Sequence, residues 1–216
     1  MQLYSNPAST VCRPILLFLA DHDLPVEIVE VDLMTRENRA DWYLAVNPNG
    51  TVPALIDGGF RITESATILR YLAGLVGSPA YPEEPRARAK VDEALDWFNT
   101  GFYRDHGYGL VYPQILPHYA TLAEPALLAF HAERAAARLE VLDRHMIGAN
   151  RFVAGNEISL ADYFGASLVT MGEMIGFDMT PYPNVGRWLA TMAARPGWAE
   201  ANAAFYGWQE AVRAAA

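Results

Sequence analysis

The chain has 216 residues, 52% hydrophobic and 19% charged, which suits one domain or two small ones and excludes a disordered chain. A formal net charge of -9 argues against nucleic acid as a partner, because phosphates need a basic face. Cys12 is the sole cysteine, so no internal disulfide can form and a reducing, cytoplasmic setting is expected. Met1–Ser5 lacks the basic start and apolar run of a secretion signal. The densest apolar run, Ile15–Ala20, falls far short of the roughly 20 residues that span a bilayer, so no membrane association is expected.

Gln2–Tyr4 reads as a short strand and Ser5–Ser9 as a turn. A helix is expected from about Thr10 to His22, with Ile15, Leu16, Phe18 and Leu19 as its buried stripe. Pro25–Asp32 alternates apolar and acidic residues, the period of a half-buried strand. Arg36–Val46 reads as a modest helix. Ala54–Asp57 and Phe60–Ile62 flank Gly58-Gly59, a hairpin signal because both turn positions take positive φ at little cost. Thr63-Glu64-Ser65 then opens a helix that ends near Gly77. The order strand, helix, strand, helix, strand, strand, helix is thioredoxin-like.

Composition shifts at Ser78–Pro85, a linker with three prolines in eight residues. The rest reads as helix. Val91, Ala94, Leu95, Phe98 and Phe102 are spaced by three and four. Tyr108–Leu122 is irregular, aromatic and proline-bearing, and a long helix is expected from about Ala123 to Met146. Ser159 and Asp162 form a capping box with Asp in place of Glu, flanked by the staple pair Ile158 and Tyr163. Two further helices use Val185, Trp188, Leu189 and Met192, then Trp198, Ala201 and Phe205. The expected fold is α+β in two domains: residues 1–77 as a βαβαββα unit, 78–85 as linker, and 86–216 as an all-α helical bundle.

Two helix starts carry the candidate chemistry. The first N–H groups of a helix lack internal partners, and the dipole favours negative charge. A carboxylate can dock at Ser65 with Glu64 beside it to receive an ammonium, as an α-amino acid requires. On these residues alone the plainer reading is a cap at Thr63, with Glu64 answering the dipole. Ser9 and Thr10 precede the first helix, where the plainer reading of Ser9 is again an N-cap.

With its surroundings, this region resembles the cytosolic glutathione S-transferases, most closely the theta- and delta-related serine-type bacterial members. The matching residues are Ser9, Arg13, Val52-Pro53, Glu64-Ser65 and Ser159-Leu160-Ala161-Asp162. The resemblance implies a cis bond before Pro53 that exposes the Val52 amide and carbonyl as an edge for a peptide. It implies glutathione as co-substrate, bound by Val52, Pro53, Glu64 and Ser65. Ser9, with Thr10 as runner-up, would donate to the sulfur. A free thiol of pKa about 8.5 needs roughly 2.7 kcal/mol to drop two units. One hydroxyl donating to a charged acceptor supplies about 1.5–3 kcal/mol, so no metal or strong base is required.

Theta-like members carry His in the second-helix region and Lys or His before the cis proline; here Asn38 and Gly50-Thr51 stand there. Arg39 or Arg36, with Thr51, is then the candidate for the glycine carboxylate. Phe102, Tyr103 and His106 are candidates for the electrophile site. The five histidines form no i,i+4 pair or HExxH, so no metal is expected. The expected function is conjugation of glutathione to small apolar electrophiles by a homodimer. The alternatives are a glutathione-dependent isomerase, dehalogenase or disulfide reductase, the last using Cys12, or a non-catalytic binding or assembly module on the same fold.

Overall fold

The computed structural model describes residues 1–215. Strand β1 (Gln2–Ser5) pairs parallel with β2 (Glu27–Glu30) and antiparallel with β3 (Ala54–Asp57), which pairs antiparallel with β4 (Phe60–Thr63). The sheet order is β2-β1-β3-β4. β2 is the edge next to β1, and its Ile28 is exposed rather than turned inward.

Helix α1 (Arg13–His22) begins three residues later than its apolar pattern suggests. Thr10–Cys12 form turns instead, and the N–H groups of Cys12 and Arg13 both donate to the Ser9 carbonyl, at 3.0 and 3.1 Å. Pro14 fits the helix start because its missing N–H would be an orphan there. The expected helix over 36–46 is split. A 3-10 turn, Glu37–Arg39, is separated from α2 (Asp41–Val46) by extended Ala40, and Arg36 before it takes a positive φ of 62°. Helix α3 (Ser65–Val76) ends at Gly77, whose φ of 60° is the left-handed cap that favours glycine.

Helix α4 (Pro85–Asp96) passes into a π-helical stretch, Trp97–Val111, and then α5 (Tyr112–Ile115). The region from Tyr108 is therefore helical to Ile115, where irregular chain was expected; only Pro117–Leu122 tightens to a 3-10 turn. Gly101 and Gly109 make room for a neighbouring helix. A Cβ at Gly101 would lie 2.6 Å from the Arg138 guanidinium, and one at Gly109 would lie 2.3 Å from the His131 ring. Between them Asp105 is fully buried against Arg104, Arg134 and Arg138. Burial works against its charge, but the guanidiniums outweigh it and hold the carboxyl below the usual carboxylate range.

Helix α6 (Pro125–Val141) carries Arg134 and Arg138 and continues as a π turn to Ile147. It is followed by α7 (Leu160–Thr170), a 3-10 turn (Met171–Ile175), α8 (Pro183–Ala193) and α9 (Trp198–Ala215). The capping box forms as its spacing predicts. Asp162 does more than cap: it accepts from the N–H of Val153 and Ser159, the Ser159 hydroxyl and the Trp188 indole, all between 2.8 and 2.9 Å. One buried carboxylate thus joins the 153 loop, α7 and α8. A main core runs from the sheet into the helices through Leu3, Phe18, Leu69, Phe98, Phe164 and Trp188. Among the described residues no helix is long and apolar enough to cross a membrane.

Removing Asp162 strands four donors at once. Asp162→Ala should cost at least about 3 kcal/mol in equilibrium urea unfolding. His106 gives a second test. Its ring is fully buried, stacked on Phe102, and neither ring nitrogen has a hydrogen-bond partner among the described residues. Burial pulls its pKa down to about 4 from an ordinary 6.5. The unfolded chain binds the proton more tightly, so stability is complete above about pH 6.5 and is lost as pH falls towards 4. The total is on the order of 3 kcal/mol. Unfolding free energies measured from pH 7 to 4 should show this slope, and His106→Phe should flatten it.

Candidate active site

Tyr4 of β1 lies opposite Ala54 of β3, and Ala54 lies opposite Thr63 of β4. The loop after β1, the Val52-Pro53 segment before β3 and the Thr63–Ser65 segment after β4 therefore meet at one end of the sheet. The N-termini of α1 and α3 lie at that same end. Among the described residues the first N–H groups of α3 are free there, whereas in α1 Arg13 donates to the Ser9 carbonyl, Ile15 to the Cys12 carbonyl, and Pro14 has no N–H. Burial of Cys12, Val31, Tyr43 and Val52 in one small cluster fastens the first two segments together.

Val52-Pro53 is cis, as the resemblance implies. Among the described residues neither the N–H nor the C=O of Val52 bonds to the protein. The Thr51 carbonyl is held at 2.6 Å by both the Tyr43 hydroxyl and the Asn47 amide. Glu64 is exposed and sits at φ 68°, a backbone region that a residue with a side chain rarely adopts. Such strain persists where the surroundings over-determine it and clusters at ligand sites. Ser65 follows, buried at the first position of α3.

Ser9 and Thr10 are treated differently by the fold. Thr10 is buried and turned towards the helices: its oxygen accepts from the Tyr112 hydroxyl at 3.2 Å, and its own hydroxyl donates to the Met171 sulfur at 3.4 Å. Tyr112 is in turn paired with the Tyr103 hydroxyl at 2.7 Å. Burial pushes the Tyr112 phenol up to about 12, so this wall stays uncharged. Ser9 is half-buried, and its hydroxyl lies beside the Cys12 thiol. Cys12 beneath it is fully buried, and burial pushes its thiol up against weaker opposing effects of the Asn6 backbone and the Ser5 and Ser9 hydroxyls.

At the far side of the sheet end, Asn38 donates to the Gly50 carbonyl at 2.7 Å and exposed Arg39 to the Asn49 carbonyl at 3.2 Å. Both side chains brace the loop that leads to Thr51. Of the electrophile candidates, Tyr103 reaches the site through its hydroxyl. Phe102 and His106 do not: both are fully buried in the helical core, because the π stretch turns them inward. Tyr112 and Met171, which do reach Thr10, are the residues that sequence reasoning missed. Tyr112 lay in the aromatic segment read as irregular, where no helical face could be assigned. Among the described residues, no group of three His, Cys, Asp or Glu is placed to hold a metal ion.

Comparison with known proteins agrees with this architecture. The family "Glutathione S-transferase, N-terminal domain" matches residues 1–74, and "Glutathione S-transferase, C-terminal domain" matches residues 121–196. Glutathione S-transferase theta-1 of Mus musculus is 35% identical over 165 residues, 75% of this chain and 69% of the relative. Glutathione S-transferase D6 of Drosophila melanogaster is 28% identical over 93% of this chain and 91% of its own. A delta-class glutathione transferase of Nilaparvata lugens superposes with a TM-score of 0.87 at 29% identity, covering 99% of this chain and 98% of that one. Human glutathione transferase theta-2, in complex with glutathione, shares the fold with a TM-score of 0.90 at 24% identity, over 98% of this chain and 90% of its own. The sheet end with its two helix N-termini, the cis proline and the capped α7 thus belong to a member of the glutathione S-transferase family.

Proposed function

We propose that this chain conjugates the glutathione thiolate to small apolar electrophiles at the end of the sheet, with the Ser9 hydroxyl donating to the sulfur. The tripeptide sulfur is the nucleophile: it forms the S–C bond while the leaving group departs or a strained or conjugated bond opens, and the thiol proton goes to solvent. The observation that carries the assignment is the contrast between the two hydroxyls. Thr10 is buried and already engaged by Tyr112 and Met171, whereas Ser9 is half-exposed, with only the weak thiol partner Cys12 beside its hydroxyl. The unpaired Val52 edge suits the cysteinyl backbone of the peptide, as an added strand. Glu64 and Ser65 suit the γ-glutamyl ammonium and carboxylate, and Arg39 with Thr51 lies on the glycine side.

The alternative in which a protein thiol reacts at Cys12 finds no support, because the sulfur is buried and its ionisation disfavoured. The reading also includes a homodimer. Phe60, Leu75 and Val76, on β4 and α3, present exposed apolar side chains that a second copy would cover.

Ser9→Ala should raise the pKa of bound glutathione, read by thiolate ultraviolet absorbance, and lower kcat/KM by about 10- to 100-fold. Unchanged turnover would sink the assignment of Ser9. Cys12→Ala should keep conjugation near wild type; its loss would revive the protein-thiol alternative. Sedimentation at micromolar concentration should return twice the chain mass, and a monomer there would contradict the dimer.

A further inference from the structure

Arg13 is the first residue of α1 and is fully buried. Its guanidinium meets no carboxylate within ion-pair distance among the described residues. Nη1 donates to Asn202 Oδ1 at 2.8 Å and Thr170 Oγ1 at 3.3 Å, and Nη2 donates to the Ser167 carbonyl at 2.7 Å. The Phe205 ring lies 3.8 Å from its centre, and Nε has no partner. Burial lowers its pKa only to about 10, so it is charged at neutral pH. A buried charge held by neutral dipoles is costly, and an apolar side chain of similar volume would serve packing better.

The acids of α1 and α7 are used elsewhere. Asp21 pairs with Arg195 and Tyr163, and Asp162 is satisfied by neutral donors. The groups that face Arg13 are Tyr206 of α9, Tyr112 of α5, Glu173 beyond α7 and Tyr103 of the π stretch. Only Glu173 among them is a carboxylate, and burial pushes its pKa up. Arg13 is tied to the candidate site in two ways, by its backbone and by its charge. Its backbone N–H donates to the Ser9 carbonyl at 3.1 Å, which fixes Ser9 relative to the first turn of α1, and the field of its guanidinium acts on the Tyr112 phenol, whose hydroxyl is 3.2 Å from Thr10.

We propose that the unpaired, buried guanidinium of Arg13 favours thiolate over thiol for a sulfur at Ser9, acting through its field. This rests on the reading of Ser9 given above. Arg13 touches no substrate and is a positioning residue, adding to the α1 dipole with the same sign. The proton lost from the thiol passes to solvent, and no further reactant is needed. A unit charge on the order of 10 Å away, at an effective dielectric of about 20, shifts an ionisation by about one pH unit.

The test places a counter-charge on the guanidinium without removing it. Asn202→Asp puts a carboxylate where the amide oxygen now sits, which preserves the contact to Arg13 and gives up only the amide's donation to the Trp198 carbonyl. The thiolate absorbance of bound glutathione should be titrated for wild type, Asn202→Asp, Glu173→Gln and Ser9→Ala, each checked for folding by circular dichroism and thermal melting. Asn202→Asp should raise the thiol pKa by about half to one unit, cutting the thiolate fraction below that pKa about three- to tenfold. Glu173→Gln should lower the pKa. Folded Asn202→Asp with an unchanged titration overturns the proposal. If Asn202→Asp fails to fold, an unmoved or raised pKa in Glu173→Gln overturns it instead. An unchanged Ser9→Ala curve removes Ser9 from its role while a shift in Asn202→Asp still supports Arg13 as the source of the field. Wild type that binds glutathione without thiolate overturns both.

Discussion

Burial of the first turns of α1 between the two halves is the constraint on which the rest of the structure depends. The helix packs on α3 beneath the sheet and on α7 and α9 of the helical half. Ile15, Leu17 and Phe18 are almost wholly excluded from water. A helix so enclosed cannot shift without unpacking two layers, so the loop that enters it is fixed as well. Ser9 and Thr10 inherit that rigidity. The same enclosure makes Arg13 internal, because the first turn faces α7 and α9 rather than solvent.

The helical half is built round a few multiply bonded carboxylates. Asp162 gathers four donors, Asp105 three arginines, and Asp143 the N–H groups of Asn184 and Val185 at the start of α8. Each sits where several chain segments meet, so each fixes relative placement rather than contributing only local stability. Hydrophobic contact is non-directional and fills the space between these points; the carboxylates set the register.

Much of this was legible in the sequence because it rests on local rules. The Gly58-Gly59 hairpin, the Gly77 stop and the Ser159–Asp162 box each follow from short-range backbone chemistry, and each appears in place. What escaped depends on tertiary context. Phe102 closes the stripe that begins at Val91 and is buried with it, but beyond it the π stretch defeats a 3.6-residue period, so His106 could not be assigned a face and Tyr112 could not be placed beside Thr10. The choice between Ser9 and Thr10 turns on a partner about a hundred residues away, which spacing cannot reveal. Spacing could not show what faces Arg13; its lack of a carboxylate emerges only when α7 and α9 close over it.

Gly101 and Gly109 show where the chain has little freedom to change. Both lie in a helical stretch, where general propensity would favour alanine at each. Here a single methyl would push against the Arg138 guanidinium or the His131 ring and disturb the side chains packed around Asp105. A thermostability campaign guided by helix propensity alone would therefore choose, at these two positions, substitutions that work against it.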